Sequence, residues 1–547
     1  MPPATAQPRS WGLPLRLALL AVLFTVLYSW PLWQALLALR ETDAARITAM
    51  AGLALGINLL LFALLPLGRW PGWVTTIVLL IGAGALHFMM RYGVVLDPAM
   101  LENALQTDGP EVAELITRRM LLDILLFGAI PALILSRLPW GPRPSLTRAL
   151  RLRLAVFGTG LGLALVAVGL HMQDLAPLMR NHKELRYMFS PGNLLASATS
   201  ALRGSQVIDG GPRALIDPAV RGRDRAAGER RRIIVMVLGE TVRASNWGLA
   251  GYQRQTTPAL AARQDLLATV ADSCGTDTAT SVPCLFSDIG RQHYDRERIA
   301  RRENLLQLAK RAGVTVQWRE AQAGCKGACD GIDTVWLRHD PEAADAAHCG
   351  EHGCFDMALL DGLEQVFDGA DGDVLVVLHQ MGNHGPGYWR RVPEDQWVFR
   401  PVCAVDDLSR CDTTEIVNAY DNAVRYTDSL LARLIERLEQ RAARDDLAML
   451  YVSDHGESLG ESGLFLHGLP RWMAPEEQTR VPMVLWLSPD WRARAGLDET
   501  CRRQLAGAGA DHDQVFHTLV GMLGLHTSAY RAEDDLLARC ATRAKLR

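Results

Sequence analysis

Three short stretches of this sequence join oxygen or imidazole ligands to glycine: Gly239-Glu240-Thr241, His379 with Gly382-Asn383-His384-Gly385-Pro386 just beyond, and Ser453-Asp454-His455-Gly456-Glu457. Glu240, Asp454 and His455 together offer two carboxylates and one imidazole, a mixed set that suits zinc. Any one of them alone reads equally well as a satisfied polar residue at a strand end. The set lacks a nucleophile. Hydroxyls come instead from Cys274-Gly275-Thr276-Asp277-Thr278-Ala279-Thr280-Ser281-Val282-Pro283-Cys284, a loop that a Cys274–Cys284 bridge would close and stiffen. A helix starting near Thr278 would turn free N–H groups toward an incoming phosphate. A hydroxyl is a weak nucleophile until a metal or base lowers its pKa, so a zinc-bound threonine is a sensible arrangement.

These residues need elements that bring them to one place. Ile233–Leu238, Val374–Leu378 and Leu447–Val452 are short continuous apolar runs, as expected of strands buried on both faces, and helical patterns alternate with them. That alternation predicts an α/β domain with a mostly parallel sheet. Sites in such sheets lie beyond the carboxyl ends of the strands. Three strands here end in Glu, His or Asp-His, which predicts one site at that edge.

The 547 residues exceed one compact core, and the net charge of -3 leaves no nucleic-acid footprint. All ten cysteines lie between Cys274 and Cys540. The spacings Cys274/Cys284, Cys325/Cys329, Cys349/Cys354 and Cys403/Cys411, with Cys501 and Cys540 left over, read as a disulfide set, because the paired CxxC spacing of a zinc ribbon is missing.

Upstream, five stretches are apolar enough to span a bilayer: Leu17–Leu39, Ile47–Leu67, Pro71–Met90, Met120–Ser136 and Leu154–Met172. Trp11, Trp30, Trp33, Trp70, Trp73 and Trp140 stand near span ends, as interfacial anchors do. Arg137, Arg143, Arg148, Arg151 and Arg153 crowd the loop before the last span and keep it cytoplasmic. The N-terminus is then inside, and everything after Met172 lies outside, the side on which disulfides persist. The expected division is a membrane domain over 1–172, an interfacial segment and tether over 173–232, and a periplasmic catalytic domain over 233–547. Within the membrane half, the loop 91–119 carries Asn103, Thr107 and Glu111 at a four-residue step. On one helix they would share a face, either a solvated one or a polar floor for a lipid headgroup.

The chain resembles the lipid A phosphoethanolamine transferases, the group that includes the mobile colistin-resistance enzymes, within the alkaline phosphatase superfamily. The resemblance rests on the five-span layout, the Asn103–Glu111 stretch, Arg180-Asn181-His182-Lys183, Gly239-Glu240-Thr241 with Gly251-Tyr252, and the Cys274–Cys284 block. It continues through Gly324-Cys325-Lys326-Gly327, His384-Gly385-Pro386, Asp454-His455-Gly456-Glu457-Ser458-Leu459-Gly460 and Leu466-His467-Gly468. It implies a five-helix transmembrane domain followed by an α/β/α domain of alkaline-phosphatase/sulfatase type. It implies zinc held by Glu240, Thr278, Asp454 and His455, with Thr278 as nucleophile, and leaves a second zinc open. His384 and His467 would flank the transferred phosphate. Lys326 and Thr276 would bind substrate, and Asn103, Thr107 and Glu111 would reach the ethanolamine headgroup. The implied donor is phosphatidylethanolamine, the implied acceptor lipid A, and the implied place a monomer in the inner membrane. Asn383 and the Cys501/Cys540 pair depart from the commoner pattern without touching the metal set. The run C/S-x-P-x-R that a sulfatase needs is absent. A glycerophosphate transferase of similar plan would not carry this disulfide set. A relative acting on lipopolysaccharide core or periplasmic glucan stays open, and a catalytically dead binding protein would have lost one of Glu240, Thr278, Asp454 or His455.

Overall fold

The computed structural model describes residues 12–39, 43–64, 72–107, 109–138, 145–199, 213–337, 344–350, 353–497, 501, 503, 505 and 509–539. The chain divides into two compact units: one of Met1–Ala104 and Ile116–Arg203, the other of Leu105–Leu115 and Gly204–Arg547.

In the first unit four helices are long and apolar enough to cross a membrane: Ala44–Leu64, Trp73–Arg91, Arg118–Arg137 and Leu146–Ala176. The expected span Leu17–Leu39 falls on a bent pair, Leu13–Tyr28 and Trp30–Ala38, angled by 47°. Pro31 accounts for the bend, since it has no N–H to continue the ladder and its ring crowds the carbonyl four residues back. The last helix runs on from the expected Met172 to Asn181, with a break in its dihedrals at His171 (φ -125°, ψ 24°). Phe24, Tyr28 and Phe62 are fully buried, with Phe24 against Tyr28 at 4.3 Å and Phe62 at 5.2 Å between ring centroids. The helices over Ala44–Leu64 and Leu146–Asn181 touch backbone to backbone. A Cβ on Gly56 would stand 2.8 Å from the Gly160 carbonyl oxygen, and a Cβ on Gly160 would stand 2.8 Å from that of Gly56.

The four-residue step Asn103, Thr107, Glu111 does not lie on one helix. Asn103 belongs to Pro98–Gln106, Thr107 follows its end, and Glu111 belongs to a new helix, Gly109–Leu115. Pro110 explains the break: it disfavours helical backbone before it and suits a helix start.

Among the described residues the second unit is built on twelve strands: β1 (Arg232–Gly239), β2 (Leu266–Asp272), β3 (Thr315–Glu320), β4 (Asp333–Trp336), β5 (Cys349–Gly350), β6 (Gly353–Cys354), β7 (Val374–His379), β8 (Asp446–Ser453), β9 (Ser458–Leu459), β10 (Phe465–Leu466), β11 (Arg480–Leu487) and β12 (Ala510–Asp511). Eight form one sheet in the order β12-β2-β11-β8-β1-β7-β3-β4. Only β11 runs against its neighbours, so the sheet is mostly parallel. Alternate residues Ile234, Met236 and Leu238 of β1 pack in one core with Leu305, Leu308, Phe516 and Leu519 from helices on that face. The other alternates, Ile233, Val235 and Val237, are equally buried, and the long helix Thr413–Glu439 packs against the neighbouring β8.

The expected tether is not loose where it is described. Ile216 and Val220 join the core, Ala214 N–H donates to the Arg301 carbonyl at 2.8 Å, and Arg223 grips Asp373 at 2.7 and 3.1 Å. Arg232, assigned to the tether, is the first residue of β1. Bridges join Cys274–Cys284, Cys325–Cys329, Cys349–Cys354 and Cys403–Cys411. Cys501 is buried, and Cys540, its expected partner, lies outside the described residues.

Candidate active site

Strand register brings the chemistry together. β1 lies between β7 and β8, with Leu238 level with His379 and Gly239 level with Ser453. The next residues of β1 and β8, Glu240 and Asp454, therefore leave the sheet side by side, and Asp454 N–H still bonds the Gly239 carbonyl at 2.9 Å. The hydroxyl loop reaches the same edge. Asp277 caps the helix Thr278–Leu285 by accepting from Thr280 N–H at 2.9 Å, and the Cys274–Cys284 bridge ties the loop to that helix. Gly275 is needed there, because a Cβ would come within 2.6 Å of Thr280 Cγ2. His512, which sequence reasoning did not single out, pins the loop to β8: Nδ1 accepts from Cys274 N–H and Nε2 faces the Ser453 carbonyl, each at 3.0 Å.

Glu240, Asp454 and His455 are fully buried, and one ligand atom of each lies within 4.8 Å of the others. His455 Nε2 is 3.4 Å from Glu240 Oε1 and 3.3 Å from Asp454 Oδ2. His455 Nδ1 lies 3.0 Å from the Gly456 carbonyl, and a donated bond there leaves Nε2 with its lone pair facing the carboxylates. Thr278 Oγ1 joins the cluster at 3.3 and 3.2 Å from the two Glu240 oxygens and 3.4 Å from His455 Nε2. Asp454 Oδ1 accepts from Thr241 and His455 N–H at 3.1 and 2.7 Å, while the buried Oδ2 has no hydrogen-bond partner among the described residues.

Burial, and then the neighbouring Asp454 charge, push the Glu240 carboxyl well above its ordinary value. Burial raises Asp454 to about 6 and lowers His455 to about 3. Two crowded carboxylates, a neutral imidazole and an orphaned carboxylate oxygen, all aimed at one point, are the environment that a divalent cation relieves. The residues present therefore fit a zinc ion.

Two more histidines stand over this cluster. His467 packs on His455 with ring centroids 4.4 Å apart, and His384 lies 5.4 Å from His467. His467 Nδ1 is 2.7 Å from Glu457 Oε2, and Tyr388 donates to Glu457 Oε1 at 2.6 Å. Burial opposes protonation of His467, but the Glu457 charge and hydrogen bond outweigh it and raise its pKa. His384 Nε2 is 3.8 Å from Glu111 Oε1.

The remaining expected residues are placed less uniformly. Thr276 Oγ1 donates to the Leu469 carbonyl at 2.6 Å, so its hydroxyl braces the loop after His467. Lys326 makes no ion pair or hydrogen bond among the described residues and sits at φ 51° inside the Cys325–Cys329 ring. Thr107 and Glu111 belong to the second unit and Asn103 to the first.

Several residues escaped sequence reasoning. Glu320 ends β3 and meets His379 Nδ1 at 2.9 Å, while His379 Nε2 lies 3.9 Å from Glu240. Gln322 Nε2 reaches Glu240 Oε2 at 3.4 Å. The strand-end rule that located Glu240 applies to Glu320 too, but the run Thr315–Glu320 interleaves Gln and Arg and does not read as a buried strand. Glu114 and Arg391 also went unnoticed, and they form an ion pair at 2.6 Å.

Comparison with known proteins agrees with this geometry. The family described as Sulfatase matches residues 232–525, and that described as Phosphoethanolamine transferase EptA/EptB matches residues 54–205. Phosphoethanolamine transferase EptA of Escherichia coli K12 is 36% identical over 470 residues, 84% of each chain. Phosphatidylethanolamine transferase Mcr-1 of Escherichia coli is 36% identical over 421 residues, 76% of this chain and 77% of the relative. The integral membrane lipooligosaccharide phosphoethanolamine transferase A of Neisseria meningitidis superimposes with a TM-score of 0.91 at 32% identity, covering 97% of this chain and 100% of that one.

Proposed function

The chain belongs to the lipid A phosphoethanolamine transferase family, and on that premise we propose that it moves phosphoethanolamine from phosphatidylethanolamine to a lipid A phosphate through a covalent ester on Thr278. The observation that carries this reading is the Thr278 hydroxyl, buried and within 3.4 Å of both Glu240 and His455. Glu240, Asp454, His455 and Thr278 would hold the zinc, which when bound would supply positive charge to acidify the hydroxyl and offset the phosphodiester oxygens. Thr278 Oγ attacks phosphorus, and the bond to the diacylglycerol oxygen breaks. The nearest acceptor for the threonine proton is Glu240 Oε2, at 3.2 Å. His467, whose pKa the Glu457 charge and hydrogen bond raise against its burial, gives its proton to the departing diacylglycerol oxygen. A lipid A phosphate oxygen then attacks the phosphoethanolamine–threonine ester, forming the new P–O bond and breaking the one to Thr278; the proton held on Glu240 returns to the threonine oxygen, and the acceptor phosphate's own proton passes to His467.

His384 flanks the same phosphate, and Lys326 and Thr276 stand on the substrate side. Glu111, with Thr107 of the same unit, meets the ethanolamine ammonium of the donor, for which a carboxylate is the natural partner. The protein works as a monomer in the inner membrane with its catalytic unit in the periplasm. Each transfer adds an amine to an anionic lipid, which weakens binding of cationic peptides such as polymyxins. Mass spectrometry of lipid A from cells with and without the gene tests this. Lipid A gaining phosphoethanolamine only with the gene is the expected result; unmodified lipid A beside modified core or glucan would overturn the acceptor.

A further inference from the structure

A second polar feature lies beside the nucleophile's helix. It is a cavity of about 270 Å³. One wall is the helix Thr278–Leu285, through Ala279 and Pro283, so it begins one residue past Thr278. The other walls carry Arg213, Arg296, Arg302 and Lys326, and no carboxylate lines it among the described residues.

Two of these cations are held in place. Asp288 grips Arg302 at 2.8 and 2.7 Å, and Arg213 bonds Asp330 at 2.5 Å and the Gly327 carbonyl at 3.2 Å. A guanidinium has five N–H donors, so both keep donors beyond these bonds. Lys326 is fixed differently. Its left-handed backbone is costly for a lysine and sits inside a ring closed by Cys325–Cys329, between Gly324 and Gly327, both also at positive φ.

We infer that this cavity is an anion subsite that receives a second, non-reacting phosphate of the acceptor glycolipid while the first phosphate reacts at Thr278. The inference rests on the transfer reading above. The donor does not suit the cavity: once its only phosphate is at Thr278, its remaining charge is an ammonium, and the described lining offers arginine and lysine donors but no carboxylate to meet it. An acceptor with a further phosphate presents the opposite charge in a form that arginine recognises by paired hydrogen bonds. The subsite makes the enzyme selective for polyanionic acceptors and leaves the donor step alone.

The test uses the full chain in lipid nanodiscs and compares kcat/KM for a glycolipid acceptor bearing two phosphates with that for the same glycolipid bearing one. The wild type is expected to prefer the first by about tenfold or more. Arg296→Glu is expected to remove the preference while single-phosphate turnover stays within about twofold. Arg296 opens the short helix Arg296–Ala300, where a carboxylate is tolerated, and Arg296→Gln serves as a second variant that only deletes the charge. Inorganic pyrophosphate should compete with the two-phosphate acceptor in the wild type and lose that effect in Arg296→Glu. Equal kcat/KM for both acceptors in the wild type, or a preference that survives both variants, overturns the subsite. So does pyrophosphate that blocks formation of the Thr278 ester from donor alone, since the anion would then sit at the reaction centre. Failure of the wild type to form that ester is a separate result, which removes the transfer reading itself.

Discussion

Glu114 Oε2 lies 2.6 Å from Arg391 Nη2, with both side chains 8% exposed, and the same guanidinium donates through Nε to the His384 carbonyl at 2.8 Å. A glutamate from the Gly109–Leu115 helix thus fixes, through one arginine, the backbone that carries His384. Removing one partner strands a buried charge, which costs about 3–5 kcal/mol. Glu114→Ala and Arg391→Ala are each expected to lower the melting temperature and turnover, and the double variant to fall by less than the sum. Single variants that melt with the wild type would show that the pair does not hold this loop.

Metal removal should act on stability as well as rate. Without a cation, Glu240, Asp454 and His455 face each other with nothing to offset their crowding, and binding to the folded state alone adds stability. Chelation is expected to lower the melting temperature and abolish turnover, and zinc to restore both. Full activity in protein shown to be metal-free would remove these ligands from the mechanism.

Thr278→Ser keeps an attacking hydroxyl and should retain partial activity. Thr278→Ala removes the attacking atom and should leave none above background. Intact-mass analysis of the wild type after donor lipid alone should show a phosphoethanolamine adduct that peptide mapping places on Thr278. Direct donor-to-acceptor transfer without that adduct contradicts a covalent path.

The His467–Glu457 pair predicts a direction with pH. His467 is raised in the folded protein, so the pair's contribution to stability is complete below the unfolded histidine value of about 6.5 and is lost as pH climbs through the higher folded one. Its use as an acid has the same limit. Turnover should fall on the alkaline side, and Glu457→Gln, which deletes the supporting charge, should move that fall to lower pH. An alkaline limb in the same place in both proteins would mean that another group sets it.

The parts of this fold that were legible in the sequence are those governed by local patterns. Ile233–Leu238 and Leu447–Val452 are apolar without alternation because both faces of their strands are covered, so their chain ends located Glu240 and Asp454 in advance. The bend before Pro31 and the helix break before Pro110 follow equally local rules, yet the hydropathy of the first stretch and the four-residue step of the second outweighed them. The 213–231 segment is rich in arginine and glycine and reads as a tether, because nothing local reveals that Ile216 and Val220 reach the core or that Arg223 finds Asp373. Glu114 and Glu320 were hidden for the same reason. A glutamate on a short helix or at the end of a polar strand looks solvated until its distant partner is in place.

The contact between Gly56 and Gly160 constrains the membrane half in a way that hydropathy does not. Leu165 and Val166 on the same helix are 62% and 55% exposed, and any apolar residue of similar reach would serve there. Positions 56 and 160 have no such freedom, since each would drive even a methyl group into the other's carbonyl. Neither can be exchanged neutrally while the other stays as it is, because there is no void for the added carbon to occupy. The register of the two helices is therefore locked by two residues without side chains, and a library that randomises this unit should recover many sequences at its lipid-facing positions and almost none at this pair.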